Sequence, residues 1–369
     1  MAVPPPAQFI PETFDDLPGW ADDDHLAAFA AFRRSAARAE IKPYRSGSLG
    51  IRAEAFEPAF AAARAANDGT AAEARHFFER HFRPFLVRPG GASTGFVTGF
   101  YEPEAAASRT CTQQYRHPLY ARPPDLIDID DQNRPPDMDP ACRFGRVVDG
   151  KPVEYFDRRQ VESGALAGQG LEIAWLADRV DLFFIHIQGA ARLVLPDGEV
   201  MRVTYAAKSG HPFTGIGRVL ADLGEIPLDR VTMQTIRSWL AANPARLDEI
   251  LWQNRSFIFF REHPVEDEGL GPVAAAKVQL TPGRSMAVDR LLHTFATPFF
   301  IAAPTLQAFG TNGFRRLMIA QDTGSAIVGP ARGDLFTGSG PQAGQIAGVI
   351  RNDADFHMLV PVGIAETWT

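Results

Sequence analysis

The stretch 317-LMIAQDTGSAIVGPARGDLFTGSGPQAG-344 decides how this chain is read. An apolar run, Leu317 to Ala320, leads into Asp322; twelve residues on, Asp334 stands between Gly333 and the apolar pair Leu335-Phe336. Short apolar runs bounded by turn residues read as strands, so the pattern is strand, glycine loop, strand. Six glycines lie between Gly324 and Gly344. They leave open backbone that a ligand can approach closely. A carboxyl group beside apolar residues in a groove resists ionisation and keeps its proton towards neutrality. A general acid for a glycosidic oxygen needs that property. Two aspartates capping turns would give the same spacing, so this stretch alone supports both readings.

Similar texture extends outward from it. Residues 95–101, 182–188, 200–205 and 257–260 are short apolar or alternating runs separated by Gly, Pro and Asp, and they read as strands of barrels or sandwiches. Residues 232–242, with Ile236, Trp239 and Leu240, read as a helix ended near Asn243-Pro244. The first 85 residues read helical. Asp22 to Asp24 precede Leu26, Phe29 and Ala30; residues 52–67 are alanine-rich with Phe56 and Phe60 four apart. Thr70 and Glu73 form a capping-box pattern before Phe77, Phe78 and Phe82, and Pro84 stops that helix. Residues 121–140, with five prolines and six aspartates, read as a surface loop. Boundaries near 103 and 257 would make the middle a β-domain inserted into one built from both ends of the chain.

Composition narrows the function. A chain of 369 residues usually folds as two domains. Its 45% hydrophobic and 22% charged residues are ordinary for a globular protein. A net charge of −7 without a Lys/Arg run argues against nucleic acid as a partner. Two cysteines, Cys111 and Cys142, exclude a cysteine zinc cluster and a disulfide framework, and leave one bridge or two separate thiols. There is no 18-residue apolar run, and residues 1–6 do not resemble a signal peptide. The chain is then cytosolic or begins after a removed export signal. No G-x-S-x-G elbow occurs, and Ala207-Lys208-Ser209-Gly210 lacks the glycines of a phosphate loop. His76 and His81 are five apart and read as an exposed helix face; the nine histidines show no metal spacing, so no metal and no cofactor are expected.

Three further stretches hold polar groups. In 99-GFYEP-103 an aromatic, Tyr101, adjoins a carboxylate, Glu102, a pairing found at sugar subsites and also at ordinary strand ends. In 185-IHIQG-189 strand alternation would place His186 and Gln188 on one face, lining a cleft or facing water. In 205-YAAKSGH-211 Lys208 could meet an anion or simply be solvated.

Taken together, these stretches carry a resemblance. The motifs 99-GFYEP-103, the run from 164-GAL-166 through 171-LEIAWLA-177 to 183-FFIHIQG-189, 205-YAAKSGH-211, 254-NRSFIFF-260 and 320-AQDTGSAIVG-329 resemble, in order, the membrane-bound lytic murein transglycosylase A family over roughly residues 90–360. The C-terminal part, at about 276–362, resembles the 3D domain, named for its aspartates. The resemblance implies a mainly β protein with N-terminal helices. Residues 1–102 and 258–369 would form a double-psi β-barrel, and 103–257 an inserted barrel-like β-domain, with a glycan strand between them. The implied reaction cuts the β-1,4 bond between N-acetylmuramic acid and N-acetylglucosamine without water, leaving 1,6-anhydromuramic ends. Asp334 maps to the catalytic acid and Asp322 to its partner; Tyr101, Gln188, Lys208, Ser209 and Gly340 fall in matched motifs as substrate contacts.

The family also implies a periplasmic lipoprotein anchored to the outer membrane. Its leader and lipidated cysteine are not in this sequence, so the chain is expected to begin downstream of them. Expected partners are peptidoglycan strands and other cell-wall enzymes, with the protein a monomer. Two rivals keep the glycan and change the act: an inverting hydrolase using Asp322 and Asp334, and a module that grips glycan without cutting it.

Overall fold

The computed structural model describes residues 7–67, 69–140, 142–264 and 267–366. The reading of residues 1–6 lies outside them. The chain divides into two compact units, Met1–Tyr101 with Asp267–Thr369, and Glu102–Glu266.

In the first unit one long strand closes a barrel. Arg351–Pro361 pairs through Arg351 to Ala354 with the strand Gly95–Glu102, and through Asp355 to Met358 with Pro298–Ala303. Phe314–Asp322, Ser285–Ala287 and Arg332–Ser339 complete the ring of six strands, which therefore has no free edge. Gln8–Pro11 and Phe82–Arg88 extend the sheet outside the ring.

Helices His25–Ile41, Glu57–Ala65 and Ala71–His81 cover one side of that core. The side chain of Asp24 accepts from the Ala27 amide and starts the first. Thr70 and Glu73 form the reciprocal capping box that their spacing suggests. Phe32, with no exposed surface, meets the rings of Phe60, Phe77, Phe78 and Phe82. Asp23 locks the helix start to the barrel, receiving both Arg284 Nη atoms at 2.8 Å and the Leu317 amide at 2.7 Å. The expectation that the first 85 residues are helical fails at Gln8–Pro11 and Phe82–Arg88. The third helix ends at His81, and Pro84 sits inside a strand, opposite Leu359.

In the second unit six strands run in the order Ile258–His263, Val200–Lys208, Ala190–Val194, Glu104–Ser108, Glu172–Leu176, His117–Tyr120. A bridge from Ala121 to Phe260 brings the last beside the first. The run at 182–188, expected as a strand, is a helix, Arg179–Gln188. Asp178 caps it through the Asp181 amide at 2.8 Å, and Gly189 ends it at φ 76°. Leu182 and Ile185 pack on the sheet, while Phe183 and Phe184 pack on the helices Ile216–Asp222 and Met233–Ala242. A helix buried on two sides shows an unbroken apolar run, which over seven residues cannot be told from a strand. The segment 121–140 is mostly turns, as its composition suggests. It also contributes the short strand Ile127–Asp128 to a three-stranded sheet with Phe144–Val148 and Lys151–Glu154, and it buries Leu126, Ile129 and Met138. Among the described residues no helix is long and apolar enough to cross a membrane.

Candidate functional site

Both aspartates belong to the first unit, and one alanine fixes their relation. Ala287 pairs with Asp322 on one neighbouring strand and with Asp334 on the other. Directly opposed residues in a ladder point to the same face. The two carboxylates therefore rise from one face with only a methyl group between, their Cα atoms two strand spacings, about 9.5 Å, apart. A bulge sets this register, because Met286 faces Ala320 and Ala287 faces Asp322, leaving Gln321 as the extra residue. Gln321 turns inward. It accepts from Ser285 Oγ at 2.5 Å and donates to Ala31 O and Ser35 Oγ at 2.8 Å, which ties the bulge to the first helix.

The loop between the two strands is pinned by its neighbours. Asp289 accepts from the Gly329 amide at 3.0 Å, and His293 Nε2 donates to Pro330 O at 2.9 Å. Gly329 adopts φ 115°, and a side chain there would meet open space.

The carboxylates sit in different electrostatic settings. Asp334 is partly exposed, yet recessed enough that burial raises its pKa. Two groups oppose that: Thr98 Oγ1, which donates to Oδ1 at 2.5 Å, and the Arg332 guanidinium. Arg332 Nη2 donates to the same hydroxyl at 2.8 Å and lies over the Phe96 ring, so the hydroxyl proton is directed at Asp334. Asp322 is pushed up to about 6, first by burial and further by the charge of Asp334, against amide hydrogen bonds from Thr323 and Ala275 and the charge of Lys277. The Ala275 amide lies 3.1 Å from its Oδ1. Two carboxyl groups that feel each other, both raised by burial, can do acid–base work on one substrate. Thr98 and Arg332 were not singled out from the sequence. Arg332 lies in the decisive stretch, two residues before Asp334.

The other expected site residues fare differently. Tyr101 is 7% exposed, and its ring lies against Gly344 so closely that a Cβ there would come within 2.7 Å. Glu102 is buried between Arg192 at 3.2 Å and Arg202 at 2.8 Å, where it ties the sheet of the second unit. The Tyr101–Glu102 pair is therefore not an open sugar platform. Gly340 begins the helix Gly340–Ala347 at φ 82°, with open space where a side chain would point. In the second unit Gln188 ends its helix half-buried, and Lys208 ends the strand Val200–Lys208, also half-buried. Ser209 has no exposed surface; its hydroxyl accepts from the Phe257 amide, so it braces the strand end. His186 is not on a strand face. It is buried, bonded through Nδ1 to Arg158 at 3.0 Å and stacked on Phe260, and burial with the Arg158 charge holds its pKa well below the usual histidine range. Cys111 is exposed and Cys142 buried, and both are free thiols, so the one-bridge alternative is excluded.

The second unit also contains a pocket of about 340 Å³ whose lining includes Arg179, Glu162 and Trp252. Glu162 already pairs with Arg179 and accepts from Trp252 Nε1, so these polar groups satisfy one another.

Residues 96–261 match the family described as the MltA specific insert domain, and residues 284–360 match the 3D domain. The chain superposes on the crystal structure of a membrane-bound lytic murein transglycosylase from Agrobacterium tumefaciens with a TM-score of 0.92 and 50% identity, covering 98% of this chain and all of that one. The chain belongs to the membrane-bound lytic murein transglycosylase A family. MltA from Neisseria gonorrhoeae is similar at a TM-score of 0.80 and 32% identity, over 98% of this chain and 97% of that one. The family member of Escherichia coli K12 is 32% identical over 257 residues, 68% of this chain. The chain spans 61% of that relative's length.

Proposed function

We propose that this protein is a lytic transglycosylase of peptidoglycan, cleaving the β-1,4 bond between N-acetylmuramic acid and N-acetylglucosamine. One observation carries the reading: a family member 50% identical over nearly the whole chain is a lytic murein transglycosylase, and the motif stretch here sets two coupled aspartates on one sheet face. Asp334 acts as the single acid and base. It protonates the departing glycosidic oxygen, and as a carboxylate it then takes the proton of the muramic C6 hydroxyl while that oxygen bonds to C1. No water enters, and a 1,6-anhydro end results. The nucleophile belongs to the substrate, which makes its effective concentration high, roughly 10⁵ M or more when well oriented. Asp322 supports this electrostatically.

Gln188, Lys208 and Gly340 are assigned to glycan contact by their motif positions, while buried Tyr101, against Gly344, and buried Ser209, which accepts from the Phe257 amide, act as braces. The E. coli MltA structure with bound chitohexaose shares the fold at a TM-score of 0.64 and 24% identity. The six-stranded ring is read as a double-psi β-barrel and the second unit as the family's inserted domain. Relatives named as membrane-bound support a periplasmic, membrane-associated enzyme, which we read as anchored at the outer membrane.

The test is mass spectrometry of the products released from purified peptidoglycan. Anhydro products about 18 Da (one water) below their hydrolytic counterparts are expected. Reducible muramic ends would replace the reading with an inverting hydrolase, and no cleavage would leave a glycan-binding module.

A further inference from the structure

Three side chains far apart in sequence converge in the second unit. Cys142, Glu154 and His211 each offer one ligand atom, and these atoms lie within 4.8 Å of one another. Cys142 Sγ is 3.8 Å from Glu154 Oε1, and His211 Nδ1 is 3.8 Å from Glu154 Oε2. Cys142 and His211 are each 1% exposed. His211 Nε2 donates to the Tyr155 carbonyl at 2.8 Å, which fixes the tautomer and leaves the Nδ1 lone pair pointing at the other two groups. Nδ1 is a buried polar atom with no hydrogen-bond partner.

We propose that Cys142, Glu154 and His211 bind a zinc ion, with water as the fourth ligand. The donor set decides the class of ion. A thiolate and an imidazole favour Zn²⁺ over the hard cations, which take oxygen ligands. Zinc bonds of about 2.0–2.3 Å in a tetrahedron put ligand atoms roughly 3.3–3.6 Å apart. The three ligand atoms lie within 4.8 Å of one another, and each carboxylate oxygen of Glu154 lies 3.8 Å from one of the other two ligands, so small side-chain shifts close that triangle. The backbone is built around it. Tyr155, which orients His211, adjoins the ligand Glu154 at the end of the strand Lys151–Glu154. Gly210 adopts φ 96° and presses so closely on Phe144 that a Cβ would lie 2.6 Å from its carbonyl oxygen, which brings His211 up beside Cys142. A backbone carbonyl on the far ring nitrogen is the usual second support of a zinc histidine.

The arrangement argues against a nucleophilic triad. There the thiol and the acid sit on opposite ring nitrogens. Here both face Nδ1, and the far nitrogen is committed to a carbonyl. Arg255 touches Glu154 Oε2 at 3.4 Å, but it also holds Asp157 through Nε at 3.3 Å and is half exposed, so yielding the carboxylate costs little. The site has a structural task to do. The three-stranded sheet beside it rests on a small cluster of Ile129, Met138, Cys142 and Ile127. A metal would fasten that sheet to the end of the strand Val200–Lys208, supplying stability that so small a core cannot.

The test uses the intact chain and Co²⁺ as a spectroscopic probe. One equivalent should bind, with a thiolate-to-metal charge-transfer band in the near ultraviolet and the intense visible bands of tetrahedral cobalt, and Zn²⁺ should displace it. Cys142→Ser should abolish the charge-transfer band, His211→Ala should weaken binding at least tenfold, and Cys111→Ser should change neither. Because variants can misfold, the wild type carries a second readout: Zn²⁺ should slow alkylation of Cys142 at least tenfold and leave that of Cys111 unchanged. A saturating titration without the thiolate band, a band that survives Cys142→Ser, or alkylation indifferent to Zn²⁺ would show a hydrogen-bonded cluster only and overturn the site.

Discussion

The hydroxyl of Thr98 is the most direct handle on Asp334. It donates at 2.5 Å to Oδ1 and receives Arg332 Nη2 at 2.8 Å, so its proton has one destination. Thr98→Val keeps the shape and removes that bond. A hydrogen bond to a charged group contributes roughly 1.5–3 kcal/mol, and 1.36 kcal/mol is a tenfold change in proton affinity. Asp334 is partly open to solvent, which favours the lower end, about tenfold. The sign follows from the form stabilised. Thr98 favours the carboxylate, so its removal raises the pKa of Asp334 further. An acid that must begin protonated then works to higher pH, and the alkaline limb of kcat/KM should move up by about one pH unit. The assay is initial rate of anhydro-product release from purified peptidoglycan across pH, with Thr98→Ser as the control that restores the hydroxyl and the wild-type profile. An alkaline limb that stays put in Thr98→Val, while Thr98→Ser behaves as wild type, would refute the claim that Asp334 is the acid that limb reports.

Asp334→Asn should lower turnover at least a thousandfold, within the range lost when a general acid is removed, with far-ultraviolet circular dichroism unchanged. Near-normal turnover would remove Asp334 from the chemistry. Asp322→Asn should stabilise the fold above pH 6 and not near pH 4. Its folded pKa, about 6, lies above the ordinary aspartate value of 3.8, so the stability it contributes is whole below about 4 and lost as pH rises through 6. The gain should be on the order of 1–3 kcal/mol, read as a higher melting temperature, and an equal effect at both pH values would contradict the buried-acid picture. Glu102→Ala leaves Arg202, 1% exposed in its side chain, without its carboxylate and should cost about 3–5 kcal/mol in denaturant unfolding. A cost under about 1 kcal/mol would mean that the cluster is well hydrated.

What the sequence disclosed followed from how local each signal is. The capping box at Thr70 and Glu73 is written within four residues and appears as read. The strand ending in Asp322 and the strand holding Asp334 are legible because apolar residues and glycines alternate at short range. The helix Arg179–Gln188 was misread because it is buried on two sides, which erases the polar stripe that marks a helix. Glu102 and His186 looked like cleft residues because their partners, Arg202 and Arg158, lie 100 and 28 residues away. The same distance hid the cluster of Cys142, Glu154 and His211. Its members follow no motif spacing, and only the approach of Gly210 to Phe144 brings them together.

The two aspartates raise a last question: why Asp334 and not Asp322 should carry the proton, when burial raises both. The difference lies in their partners. Asp322 accepts from backbone amides of Ala275 and Thr323, which can donate and never accept. Such partners favour the carboxylate and offer nothing to a protonated Asp322, so they suit a group that shapes the field around it rather than one that cycles a proton in each turnover. Asp334 accepts from a hydroxyl, which has lone pairs of its own and can turn to accept once the carboxyl is protonated. Arg332 holds that hydroxyl in place through either state. A group that gives a proton to a leaving oxygen and takes one back from an incoming hydroxyl needs a partner that tolerates both forms. On that ground we propose that the chemistry falls to Asp334 and that Asp322, coupled to it by charge, supports it.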